Sequence, residues 1–167
     1  MSPAAAIAST AAREPAVRVR ALAPGDLAAV VRLDAHHTGK RKPKYWQDVF
    51  AGFLAPGSGT GKVGLAAEAA GELVGYLLGE VRAFEFGSEP CGWVFAVGVA
   101  PERQRGAIAS QLLAEACRRF RAAGVACVRT MVRKSDVPVM AFFRANRFVG
   151  GSFVQLELDL AEARDER

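Results

Sequence analysis

The chain has 167 residues, 51% of them apolar, and 22 Lys and Arg against 17 Asp and Glu leave a formal charge of +5. That length suits one domain, and the apolar share excludes disorder through the whole chain. The basic balance favours anionic partners (phosphates, nucleic acid, acidic membranes), or else reflects a solvated surface slightly richer in arginine.

Residues 1–15 are alanine-rich, without the basic start or strong apolar stretch of a signal peptide, and are expected to be a tail outside a domain spanning 16–160. Val17 to Leu22 alternates apolar and basic residues, the pattern of a half-buried strand. Pro24 and Asp26 suit the first turn of a helix that carries Leu27, Val30, Val31 and Leu33 on one face. After the charged stretch DAHHTGKRKPKYW, a second helix is predicted from Lys44 to Leu54, with Tyr45, Val49, Phe53 and Leu54 inward. APGSGTGK then reads as a loop. Val63 to Ala69 and Leu73 to Arg82 are predicted strands of a hairpin turning at Ala70-Gly71-Glu72.

Gly92 to Ala100 is apolar on both faces, as a central strand should be. The next helix, Gly106 to Ala122, has the clearest period: Ile108, Leu112, Leu113, Ala116, Cys117 and Phe120 inward, and Gln111, Glu115, Arg118 and Arg119 outward. Gly124 ends it. A strand over Val125 to Val132 and a short helix over Val137 to Ala145 follow, with Pro138 in the helix's first turn. Val154 to Leu160 alternates strictly, predicting a strand with one wet face. Residues 161–167 read as a charged tail.

Cys91, Cys117 and Cys127 form no CxxC pair and no His stands at ligand spacing from them, so they are expected as reduced core thiols, with no metal. No apolar run approaches the ~20 residues that cross a bilayer, and a cytoplasmic protein without a membrane partner is expected. PGSGTGKV lacks the first glycine and the final Ser or Thr of a P-loop, and a strand follows where a helix is required.

The turn after the central strand, VGVAPERQRGAIASQLL, concentrates the chemistry. Pro101 stops strand pairing, a helix opens within a few residues, and its first amides have no intrahelical acceptor. With the helix dipole they form an anion site, beside which Arg103 and Arg105 add full charges. Gly106, Ala107 and Ala109 keep side chains small, so a pyrophosphate can reach the main chain; the alternative is an ordinary solvated turn.

Gln104-Arg105-Gly106-Ala107-Ile108-Ala109, following a strand and opening a helix, resembles the [Gln/Arg]-x-x-Gly-x-[Gly/Ala] signature of the GNAT superfamily of acyl-CoA-dependent N-acyltransferases. The order of elements over about 16–160 is similar too. The resemblance implies an α/β fold of the α+β kind: a mixed, mostly antiparallel sheet flanked by helices, with a splayed strand pair forming the acyl-CoA slot. It implies acetyl-CoA as co-substrate and no metal. The cofactor would touch the backbone of Val97, Gly98 and Val99 and the loop residues Gln104, Arg105, Gly106, Ala107, Ile108, Ala109 and Ser110, with Asp136 and Phe143 at matching positions further on. A bulge near Gly98 would free an amide to polarise the thioester carbonyl.

Three departures stand out. The family's first motif glycine is Ala107, which would cost about 1 kcal/mol if its φ had to be positive and nothing in ordinary helix. The tyrosine that in many members protonates the departing thiolate is Phe143, and Trp93 stands where some members carry a glutamate, so no catalytic residue is assigned. Glu80, Glu85 and Glu89 are the nearest carboxylates by sequence and read equally as surface groups. On the acceptor side, His36 and His37 either shuttle a proton or lie on an exposed turn. Asp34 pairs with a substrate ammonium or ends a helix turn. The run Lys40, Arg41, Lys42, Lys44 holds an anion or is solvated, and Tyr45 and Trp46 line a pocket or pack in a core.

The function implied is acetyl transfer from acetyl-CoA to a primary amine of a small molecule or protein, by direct attack in a ternary complex. A binding or sensor module of the same fold without turnover is the alternative, and a homodimer stays open. Specific nucleic-acid binding is not expected: the basic run lacks an aromatic-studded sheet or a reading helix.

Overall fold

The hairpin around Ala70-Gly71 organises the sheet. Both turn residues have positive φ, 52° and 82°, the combination of a two-residue turn that matches the twist of its strands. The computed structural model describes residues 15–57, 61–104 and 107–160. They fall into two compact units, one ending at Met131 and one beginning at Val132. The first runs β1 (Arg18–Ala21), α1 (Leu27–Thr38), α2 (Pro43–Leu54), β2 (Lys62–Ala69), β3 (Glu72–Arg82), β4 (Cys91–Val99), α3 (Ile108–Ala122) and β5 (Val128–Thr130), and the second holds α4 (Val137–Ala145). The sheet order is β1-β2-β3-β4-β5. The first four strands are antiparallel neighbours, and β5 lies parallel to β4. This is the mixed, mostly antiparallel sheet expected.

One face of the sheet carries α1 and α2. Val30 and Val31, Trp46 and Phe50 pack there on Ala66, Tyr76 and Leu78. The buried pair of α2 is thus Trp46 and Phe50, four residues apart, while Tyr45, expected inward, is 47% exposed. Val49, Phe53 and Leu54 flank that pair, partly buried. The helix has rotated about one position from the predicted face, which puts its largest apolar residue, Trp46, against Tyr76.

The other face carries α3 through Ile108, Leu112, Leu113, Ala116 and Phe120, all buried as predicted. Phe120 reaches the backbone because Gly92 has no side chain. A Cβ built at Gly92 would lie 2.6 Å from the Phe120 ring. Gly124, with φ 81°, ends the helix segment as expected.

Three expectations are corrected. The strand expected over Val125 to Val132 is only Val128–Thr130. No strand forms over Val154 to Leu160, whose apolar residues Val154, Leu156, Leu158 and Leu160 are exposed. Alternation equips a segment for a sheet edge, but pairing needs a partner strand. Of the cysteines, Cys91 is buried and Cys117 half-buried, with burial pushing its thiol up, but Cys127 is exposed. The expected tails, apart from Pro15, and part of the Ala55–Lys62 loop lie outside the described residues.

The entry to α1 is held by a polar knot. Asp26 accepts from Arg20 Nη1 at 2.7 Å and Nη2 at 2.9 Å, and from the Ala23 amide at 2.7 Å. Arg20 Nε also bonds Glu68 at 2.8 Å across β1 and β2. Burial works most strongly against ionisation of Asp26, but the bonds from Arg20 and Ala23 outweigh it and hold the carboxyl below its usual range. A depressed carboxylate stabilises the fold above its unfolded-state pKa, near 3.9, and loses that contribution as pH falls. Asp26→Asn is therefore expected to destabilise by about 2 kcal/mol at pH 7. Urea unfolding at pH 7 and pH 3 should show the difference from wild type shrinking at the lower pH.

Candidate active site

The strand that matters is β4, and its two edges differ. It pairs with β3 over its whole length, but with β5 only through Gly92, Trp93 and Val94. The ladder to β5 ends where the Thr130 hydroxyl donates to Val94 O at 2.9 Å, a side chain standing in for the next backbone rung. β4 then continues to Val99. Among the described residues no strand accompanies it on that side, so the pair is splayed.

A register break decides which amides face the opening. Val94 pairs with Gly79 and Ala96 with Leu78, so Phe95 is an extra residue on β4. Before the break, Gly92 N–H donates to Cys127 O at 2.9 Å, toward the β5 side. After it, Ala100 N–H donates to Val74 O at 2.8 Å, toward β3. Antiparallel backbone alternates, so Ala96 and Gly98 also bond β3, and Val97 and Val99 present N–H and C=O to the open side. The bulge expected near Gly98 thus lies at Phe95, and Gly98 directs its backbone to Tyr76 rather than to the slot.

Gly98 has a different role. A Cβ built on it would lie 2.6 Å from Tyr76 Cε1 and 3.1 Å from the phenol oxygen. The missing side chain lets the Tyr76 ring cover the strand. Tyr76 is buried and meets Trp46 edge-on, with ring centroids 5.5 Å apart. Burial, then the charges of Asp34 and Tyr45, raise the phenol well above its usual range. It stays a hydrogen-bond donor at any physiological pH. Nothing in the local sequence around Tyr76 marked it; the signal was its register opposite Gly98.

On the acceptor side, His37 Nε2 lies 2.9 Å from Val99 O. A carbonyl only accepts, so Nε2 carries hydrogen in this bond, which ties the end of α1 to the open strand. His36 meets the His37 ring edge-on at 5.6 Å and is exposed. Asp34 does not end a helix turn: α1 runs on to Thr38, whose hydroxyl donates to Asp34 O at 2.8 Å. Its carboxylate is buried and faces Lys42, with Nζ 3.1 Å from Oδ1 and 2.9 Å from Oδ2. The basic run therefore divides. Lys42 turns inward, Lys44 pairs with Asp48 at 2.7 Å on the surface of α2, and Lys40 and Arg41 are exposed. Of the other carboxylates considered, Glu80 accepts from Arg82 Nε at 3.2 Å, Arg82 stacks 4.6 Å over Trp93, and Glu85 and Glu89 are exposed.

At the loop, Pro101–Arg103 form one tight turn whose closing bonds use the amides of Arg103 and Gln104. Ala107 has φ −75° and ψ 16°, so alanine carries no left-handed cost there. The first helical bond of α3 is Gln111 N–H to Ala107 O at 2.8 Å, which makes Ile108, Ala109 and Ser110 first-turn residues. Arg105 and Gly106 lie outside the described residues. In the second unit, Asp136 caps α4 by accepting from Val139 N–H at 3.2 Å. Phe143 is buried there and meets Phe142 and Phe148 edge-on at 5.0 and 5.1 Å. Among the described residues no group of His, Cys, Asp or Glu is arranged to hold a metal, and no helix is long and apolar enough to cross a membrane.

A strand with one edge opened by a bulge, feeding a short turn and a helix, defines an acyltransferase-like α/β architecture. The sequence model of the acetyltransferase (GNAT) family matches residues 27–148, and the chain belongs to that family. Solved structures agree in fold. Aminoglycoside N-acetyltransferase AAC(6')-Iy in complex with CoA superposes with a TM-score of 0.75 at 14% identity, over 89% of this chain and 98% of that one. A transcriptional regulator from Bacillus halodurans C-125 gives 0.71 at 19%, over 87% and 100%. Aminoglycoside 6'-N-acetyltransferase AAC(6')-Ih from Acinetobacter baumannii gives 0.72 at 13%, over 87% and 99%. No curated protein sequence matches the chain.

Gly98→Ala is expected to push Tyr76 off Trp46 and to destabilise by about 1–3 kcal/mol, the usual consequence of overpacking. Urea unfolding followed by tryptophan emission in a Trp93→Phe background checks this, because only Trp46 then reports. An unshifted native spectrum and midpoint would show the ring has room.

Proposed function

We propose that this chain transfers an acetyl group from acetyl-CoA to a primary amine of a small molecule by direct attack in a ternary complex, with residues 16–160 working as one catalytic domain. The observation that carries the reading is the open edge of β4, where Val97 turns its amide and carbonyl, and Val99 its amide, to a side that β5 leaves at Val94, while His37 already bonds the Val99 carbonyl. An amide-bearing pantetheine arm would pair with such an edge as an added strand does. The residues present therefore fit the cofactor. The loop from Gln104 to Ser110 would receive its pyrophosphate, through the first-turn amides of α3 and the charge of Arg105.

Acetyl-CoA, when bound, supplies a thioester carbonyl as electrophile and a thiolate as leaving group. The C–N bond would form as the C–S bond breaks, and the proton shed by the amine would pass, directly or through water, to the departing thiolate. Val97 and Val99 orient the arm, and proximity of the two reactants supplies much of the rate. Tyr76, held neutral by burial beneath Gly98, packs the strand and exchanges no proton. The thiolate needs little help, since free thiols ionise near pH 8.5. Support for an amine acceptor comes from the structural relatives: AAC(6')-Iy has been solved with a bisubstrate analogue of CoA and acetylneamine, and another relative, an aminoglycoside acetyltransferase from a soil metagenome, with sisomicin. A cationic small molecule of that kind is the acceptor class we favour.

A second reading, acyl-CoA binding without turnover, rests on Phe143. The buried ring brings no hydroxyl to the position where many relatives place an acid.

Calorimetric titration with acetyl-CoA is expected to show binding, and Arg105→Glu to weaken it more than tenfold, because a charge-assisted phosphate contact becomes a repulsion. Thiol release measured against a panel of amines separates the two readings: steady CoASH production with one acceptor establishes transfer, and binding with no release by any amine leaves only the module. Absence of acetyl-CoA binding at millimolar ligand would dismiss both.

A further inference from the structure

The Asp34–Lys42 pair has unequal partners. The Asp34 side chain is only 8% exposed, whereas that of Lys42 is 37% exposed. The carboxylate is fixed on α1, one turn before the His37 that grips Val99 O. The ammonium sits on a flexible stem at the entrance to α2, where Lys42 is the residue preceding the helix. Lys42 donates to Oδ1 at 3.1 Å; Oδ2, although 2.9 Å from the same nitrogen, is buried and receives no aligned hydrogen bond. Trp46 Nε1 is a second buried polar atom without a partner, on the ring that packs against Tyr76. The carboxylate is thus met by a single point charge that both of its oxygens share, and the indole N–H has no partner, where buried polar groups ordinarily find one. A lysine gives a carboxylate one point charge, whereas an arginine would have satisfied both oxygens with its fork.

We propose that Lys42 is a built-in, exchangeable occupant of an ammonium site at Asp34, and that the acceptor is a di- or polyamine. One ammonium of the acceptor replaces that of Lys42 on Asp34, and a second amine, in its neutral form, faces the thioester. Two amines are required by chemistry. Nitrogen held as ammonium on a buried carboxylate has no lone pair with which to attack, so the attacking nitrogen is a different one. Position supports the division of labour. Tyr76 covers Gly98 on the strand whose neighbours Val97 and Val99 open to the cofactor side, and it feels the charge of Asp34. Asp34 also stands one turn before His37, whose Nε2 bonds Val99 O at 2.9 Å, so the carboxylate is on the helix that meets the strand end. Swinging Lys42 outward exposes Asp34 without unfolding either helix, because the lysine is already more than a third exposed. Lys42 is then a specificity residue that competes with substrate, and Asp34 a binding residue for the non-reacting cation.

This inference rests on the acyltransferase reading, and the experiment separates the two. The CoA-loaded protein is titrated calorimetrically with 1,5-diaminopentane and with pentylamine, and acetylation of both is followed as KM and kcat. Wild type is expected to bind the diamine at least tenfold more tightly than the monoamine. Lys42→Met removes the competitor and should tighten the diamine threefold or more, lowering its KM with little change in kcat. Asp34→Asn should erase the preference for the diamine while the affinity for acetyl-CoA stays within twofold of wild type. A plain structural ion pair predicts the opposite for Lys42→Met, which would then bind the diamine no better than wild type or more weakly; that result overturns the proposal, as does a diamine preference that survives Asp34→Asn. Should Asp34→Asn fail to fold, the Lys42→Met titration decides alone. Loss of acetyl-CoA binding already in wild type would instead count against the acyltransferase reading.

Discussion

One extra residue in β4 governs the rest of the molecule. With Phe95 inserted, the strand changes phase between Val94 and Ala96. Without it, the amides facing the β5 side would continue the series Gly92, Val94, Ala96, and β5 would have a regular edge to follow. With it, Val97 and Val99 take over that side, and Thr130 closes the short ladder by spending its hydroxyl on Val94 O. A bulge bends and twists its strand as well as shifting it. The departure of β5 and the exposure of a backbone edge are therefore consequences of one insertion rather than two separate features.

The two faces of the sheet then serve different ends. The α3 face is apolar and close-packed, with Phe120 seated on Gly92 and Leu112 over Gly75. It fixes where the first turn of α3 stands relative to the end of β4. The α1 and α2 face is more mixed. It holds Tyr76 and His37 against the end of β4, with Trp46 on Tyr76 and Asp34 paired to Lys42, and the Trp46 indole N–H is buried without a hydrogen-bond partner. A polar group left without a bond in a low-dielectric setting is an energetic burden that packing alone does not explain. On the proposed reading, the rigid face would position the elements that hold the cofactor, and the polar face would meet the substrate.

Much of the fold was legible because its signals are local. Period and punctuation located α1, α3, α4 and the β2–β3 hairpin, whose turn was read as Ala70-Gly71-Glu72 and is Ala70-Gly71, with Glu72 already in β3. The errors share a cause. Which side of α2 turns inward depends on Tyr76 and Leu78, which come later in the chain and from another element. The length of β5 depends on where β4 stops being able to pair. Val154 to Leu160 has the composition of a strand, yet alternation describes a surface and not the partner that would cover it. For the site, Val97 and Val99 were readable as strand residues before the phosphate turn, but Gly98 was grouped with them because a sequence does not display the phase of a ladder. Tyr76 was missed altogether, since it stands twenty-two residues earlier than Gly98 and is joined to it only by register.

By itself, the sequence determined the class of fold, the central strand and the turn that follows it, and with them the family. Those follow from hydrophobic period, glycine and proline placement and one short motif, all properties of neighbouring residues. Tertiary structure alone decided which amides of β4 face the opening, that Asp34 is buried against Lys42, that His37 holds Val99 and that Tyr76 lies over Gly98. Each of these depends on which residue stands opposite which across a strand pair or a helix contact. Such pairings come from the packing of distant segments, so no window of sequence contains them.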